Sequence, residues 1–172
     1  MTKSETAASR AAGPVDHAHP EAAVGPAEAG RPTRVAADTL TGGCACGGTR
    51  WRVEAGTAMA ALVACHCRQC NQMSSHLLAA TSVAETGLTW TREETLTWYQ
   101  SSDFAAERGF CRACGCNIAW RLSDPDARET VALMAGSFDD QSSLTLERHI
   151  FVDHKPAYYE ITDGLPQFPD SD

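Results

Sequence analysis

The chain has 172 residues, the size of one ordinary domain, and its 14 Lys and Arg against 22 Asp and Glu leave a formal net charge of −8. The first 37 residues hold four basic and four acidic groups, so the whole acidic excess falls on the remainder, which argues against a basic groove and against nucleic acid as a direct partner. No apolar run approaches the roughly 20 residues needed to cross a bilayer, and the N-terminus lacks the apolar stretch of a secretory signal, so we expect no membrane partner and a cytoplasmic, reducing location in which disulfides do not persist.

Residues 1–37 are dominated by Ala, Gly, Pro and Glu and contain no aromatic residue. Such a segment buries too little apolar surface to offset its ordering entropy, and it is expected to be a disordered tail. His17 and His19 within it could touch a metal, but two histidines in a flexible tail are more often inert. From residue 38 to residue 169 the texture changes to that of one domain. Runs rich in Val, Thr, Ile and aromatic residues occur at "TRWRVE" (49–54), "HLLAATSV" (76–83), "TLTWYQ" (95–100), "CNIAWRL" (116–122), "TVALMAG" (130–136) and "RHIFV" (148–152). Separated by Gly, Ser, Asp and Pro, they predict a mainly β domain of small antiparallel sheets. Helix signals are weak: "CRQCNQMSS" suggests one turn. The segment "DHKPAYYEITDGLPQFP" carries enough large apolar groups to pack on the domain surface, and residues 170–172 read as a frayed end.

In a reducing compartment the eight cysteines are metal ligands or reactive thiols before they are disulfides. They fall in three groups. "GGCACGG" brings Cys44 and Cys46 together within glycines that let both sulfurs face one ion, and "FCRACGC" offers Cys111 and Cys114 as a two-residue knuckle. "CHCRQC" carries Cys65, Cys67 and Cys70. If the first two pairs join, four thiolates close one zinc site and three remain to leave a second zinc with an open position, the mark of a catalytic site. Spacing also allows Cys67 and Cys70 to join Cys111 and Cys114, so the pairing stays open at this level. Two zinc sites are favoured over one. His66, between two candidate ligands, should point away from the metal in an extended segment. His149 could line a pocket as an acid–base group or be a satisfied structural histidine. Cys116 reads first as a small buried hydrophobe, and Trp51, Trp90, Trp98 and Trp120 read as core.

Five motifs together, "GGCACGGTRW", "CHCRQC", "RGFCRACGC", "AGSFDD" and "HIFVDHKPAYYEITDGLPQFP", resemble the glutathione-dependent formaldehyde-activating enzyme family, which has a centromere-protein-V-like branch. The resemblance covers about residues 40–168. It implies the Mss4-like β-tent, small antiparallel sheets held by zinc. Carried over by position, it implies a structural zinc on Cys44, Cys46, Cys111 and Cys114 and a catalytic zinc on Cys65, Cys67 and Cys70, two Zn2+ per chain. Asn71 and Ser75 stand where the family often has Arg and Gly, and Cys116 stands where Ser or Thr is common. The implied activity is that of a carbon–sulfur lyase whose partners are a small-molecule thiol, such as glutathione, and a small aldehyde, such as formaldehyde. The alternative is a non-catalytic zinc-stabilised binding module with a structural or vestigial second site.

Overall fold

A computed structural model of the protein describes residues 34–102 and 105–171. Residues 1–33, including His17 and His19, lie outside that range. The described residues form β1 (Arg34–Val35), β2 (Leu40–Gly43), β3 (Arg50–Val53), β4 (Ala58–Met59), β5 (Leu62–Cys65), β6 (Leu78–Ala84), β7 (Leu88–Arg92), β8 (Leu96–Ser102), β9 (Ala106–Cys111), β10 (Asn117–Leu122), β11 (Thr130–Met134) and β12 (Leu146–Ile150). A single α-helix, α1 (Arg68–Ser74), joins β5 to β6. Each of the six runs read as strands overlaps one of these elements. The expected helical turn is longer than anticipated, at seven residues. No described helix is long and apolar enough to cross a membrane.

Two sheets result, and the chain is mainly β, as its alternating runs require. One carries the order β1-β4-β6-β11-β10-β9-β8, with β5 also pairing β6 and β12 pairing β5; the other is β2-β3-β7. All pairings are antiparallel except β12 with β5, where His149 lies level with Ala64 and Ile150 with Cys65. Because β4 and β5 share one edge of β6 at different heights, the sheet splits there. The end of β5 then turns into α1 rather than continuing the ladder.

The core lies between the sheets. Trp51 and Val53 from β3 meet Val83, Ile118, Val131 and Leu133 from the larger sheet, all but fully buried. Trp51 packs edge-on against Phe138 at 4.6 Å between ring centroids. The approach over Trp51 is close enough to require glycine: a Cβ on Gly42 would sit 2.2 Å from the indole and 2.1 Å from the Ser137 carbonyl. Trp90 and Trp98 pack on the same core, whereas Trp120 packs beside Cys70.

Backbone pairing reaches both ends of the described residues. Arg34 and Val35 pair with Met59 and Ala58, and Ala36 is buried with its N–H on the Thr57 carbonyl at 2.9 Å. Backbone hydrogen bonds to β4, invisible in composition, fix this stretch. At the other end Phe151 N–H donates to the Asp170 carbonyl at 3.1 Å.

Candidate metal centre

The β2–β3 turn and the β9–β10 turn converge from the two sheets. Gly47 and Gly115 adopt φ of 75° and 73°, the left-handed region that glycine enters without steric cost. Their N–H groups close the turns onto the carbonyls of Cys44 at 3.0 Å and Cys111 at 2.8 Å. The sulfurs of Cys44, Cys46, Cys111 and Cys114 then all lie within 4.8 Å of one another. Cys44 and Cys46 stand 3.4 Å apart, and Cys46 and Cys111 3.6 Å. Thr49 N–H donates to the Cys44 sulfur. Burial pushes the Cys111 thiol up, but hydrogen bonding with Thr95 and the backbone N–H groups of Cys114 and Ala113 outweighs it and lowers the thiol to about 6.

The second group is local. Cys65 ends β5, Cys67 caps α1, and Cys70 lies in its first turn. The Cys67 sulfur accepts from Cys70 N–H at 3.4 Å, which is the capping bond that Ser or Asp commonly supplies. The three sulfurs lie within 4.8 Å of one another. Packed this closely, they cannot all ionise unaided. The Cys65 sulfur, with that of Cys70, holds the Cys67 thiol down at about 2, while the Cys65 thiol is pushed far up by the sulfurs of Cys67 and Cys70 and by burial. A cation is what would let all three carry charge together. Both groups could hold a metal ion, and their all-sulfur donors suit a thiophilic one. The sulfurs of Cys67 and Cys70 group with that of Cys65, not with those of Cys111 and Cys114.

Cys116 joins neither group. It is half-buried against the main core, and burial raises its thiol. Its carbonyl accepts from Cys111 N–H at 2.9 Å, so the residue supports the four-cysteine turn through its backbone.

Sequence reasoning did not single out Arg108. This β9 side chain is 7% exposed. Its Nη2 donates to Gln69 Oε1 at 3.3 Å and lies 3.8 Å from the Cys70 sulfur, while its Nε is buried without a hydrogen-bond partner among the described residues. The signal that could have found it is alternation: in "AERGFC", Arg108 falls opposite Glu107, which pairs outward with Arg121 at 2.8 Å.

Behind the three cysteines, His66 points away from the sulfurs into a hydrogen-bonded chain. Its Nδ1 meets the Tyr159 hydroxyl, its Nε2 lies 2.8 Å from His149 Nδ1, and His149 Nε2 lies 2.8 Å from Asp163 Oδ2. Burial, and then the charges of His149 and Lys155, hold the His66 imidazole down at about 4. The Asp163 carboxylate only accepts, so His149 Nε2–H donates to it. His149, expected either at a pocket or as a satisfied partner, is thus hydrogen-bonded on both ring nitrogens. The chain staples residues 159–163 to the cysteine segment. Asn71 faces that same segment, its Nδ2 donating to the His76 carbonyl at 3.0 Å and to Tyr158 Oη at 3.4 Å. Ser75 ends α1 at φ 64°, a left-handed cap that glycine would take without strain.

Residues 39–154 match the protein family described as glutathione-dependent formaldehyde-activating enzyme. No curated protein matches the chain. Among solved structures, the crystal structure of a Rhodobacter sphaeroides protein is similar, at 22% identity and a TM-score of 0.47, over 62% of this chain and 98% of that one.

Proposed function

The chain belongs to the glutathione-dependent formaldehyde-activating enzyme family, and from that membership we propose a zinc-dependent carbon–sulfur lyase that binds a thiol at Cys65, Cys67 and Cys70. Cys44, Cys46, Cys111 and Cys114 hold a second, structural zinc in this reading. The observation that supports it is a difference of one donor: the same sulfur chemistry converges as four in one group and as three in the other. A closed shell of four thiolates is structural, and three ligands leave room for a substrate.

Zinc on the three sulfurs would offer a fourth position to the substrate sulfur and favour its ionised form. The protein's own residues shape that position. Cys70 N–H steadies the Cys67 sulfur, and Leu78, Met134 and Trp120 pack around Cys70, which limits water on that side. In the reaction, a thiol adds to the carbonyl carbon of a small aldehyde. The S–H proton ends on the aldehyde oxygen, and a C–S bond replaces the carbonyl π bond; the reverse reaction cleaves that C–S bond. Glutathione and formaldehyde are the pair to which the family's description points. Eight free cysteines support a cytoplasmic setting, where thiols stay reduced.

The test is exchange NMR on glutathione and labelled formaldehyde. Wild-type protein should raise the rate of adduct exchange above the buffer rate, and Cys67→Ser should return it to that rate. If wild type, variant and buffer agree, the lyase reading fails and the non-catalytic zinc-stabilised binding module stands in its place.

A further inference from the structure

A guanidinium buried to 7% exposure is costly unless something of opposite charge answers it. Among the described residues no carboxylate pairs with Arg108. Glu107, its neighbour in sequence, is on the opposite face of β9 and is committed to Arg121. Gln69 gives only a neutral oxygen at 3.3 Å, and that glutamine is itself anchored through its Nε2 on the Ser101 carbonyl at 2.9 Å. The remaining neighbour is the Cys70 sulfur at 3.8 Å, and Nε is left with no partner. Arg108 therefore faces the three-cysteine group with an unused Nε donor and a charge that no carboxylate answers.

The charge count gives this a consequence. Three thiolates and a divalent cation sum to −1, and Arg108 brings the group to zero. A neutral fourth ligand keeps it at zero, whereas an anionic one takes it to −1. Without Arg108 the same anionic ligand would produce a buried −2. We infer that Arg108 shifts the Cys65/Cys67/Cys70 site toward an anionic fourth donor, a small thiolate, relative to a neutral one. The inference rests on the open site proposed above.

The test uses the full-length protein loaded with Co2+, whose visible and near-ultraviolet bands report on sulfur donors. 2-Mercaptoethanol and imidazole are titrated as an anionic and a neutral fourth ligand, and the four-cysteine site contributes a constant background because its shell is closed. Arg108→Gln should weaken 2-mercaptoethanol binding about tenfold, about 1.4 kcal/mol, and change imidazole binding less than about twofold. Arg108→Lys, which keeps the charge, should retain most of the preference for the thiol and serves if the neutral variant does not fold. Equal weakening of both ligands in Arg108→Gln would show a merely structural role and overturn the inference while leaving the open site standing. So would a preference lost in a folded Arg108→Lys. A wild-type cobalt spectrum that responds to neither ligand would overturn the open site and the role of Arg108 together.

Discussion

The two cysteine groups use the same donor atom and differ in the chain that runs between their members. Cys46 and Cys111 are 65 positions apart and sit on turns of different sheets, while Cys65, Cys67 and Cys70 come from six consecutive residues at the end of β5 and the start of α1. An ion held by the first group acts as a crosslink, closing a long loop and tying the small sheet to the large one. One held by the second closes almost no loop. The same metal chemistry would thus stabilise the fold in one place and be free to serve a ligand in the other.

The sharpest break of this comparison is a matched pair of substitutions. Cys111→Ser should cost about 4 kcal/mol or more, the scale on which crosslinking a loop of that length stabilises a domain, and should abolish the cooperative thermal transition. Cys67→Ser should leave that transition within a few degrees of wild type. Equal losses in both variants would erase the distinction between crosslink and ligand site.

The second region can be loosened without touching a sulfur. His149→Ala removes the middle of the chain from Tyr159 to Asp163 and leaves buried His66 without a partner at Nε2. We expect a loss of about 2 kcal/mol and faster amide hydrogen exchange confined to residues 156–168. Exchange that quickens throughout both sheets would mean that this segment belongs to the global core instead.

The smallest effect is at the end of α1. Ser75→Gly relieves a left-handed serine at φ 64° and should raise stability by about 0.5–1 kcal/mol in denaturant titration. A destabilised variant would show that the Ser75 side chain contributes more than the strain it carries.

How much of this was legible in the sequence differs between the same two regions. The strands with alternating β-branched and aromatic residues, such as β3 and β10, can be read directly, because pattern and propensity agree. The strands β2, "LTGG", and β9, "AERGFC", are not among the runs read as strands, because their glycines and charges mask the period. Both glycines turn out to serve close approach, Gly42 to Trp51 and Gly109 to Trp98, where an added Cβ would lie 2.9 Å from the ring. The cysteine clusters were visible from spacing, and the partnership of Cys44 and Cys46 with Cys111 and Cys114 from the family resemblance. Arg108 and the pairing of His66 with His149 were not. Their partners stand 38 and 83 positions away; the sheet order β6-β11-β10-β9 carries Arg108 toward α1, and the ladder of β5 with β12 brings His149 to His66. His66 could be oriented from strand alternation, but what it meets could not.

Two separate sites, one closed and one open, should show directly in zinc analysis of the purified full-length protein. Wild type should carry about two zinc per chain and Cys67→Ser about one, with the fold intact in both. About one zinc per chain in wild type, unchanged by Cys67→Ser, would contradict this two-site arrangement.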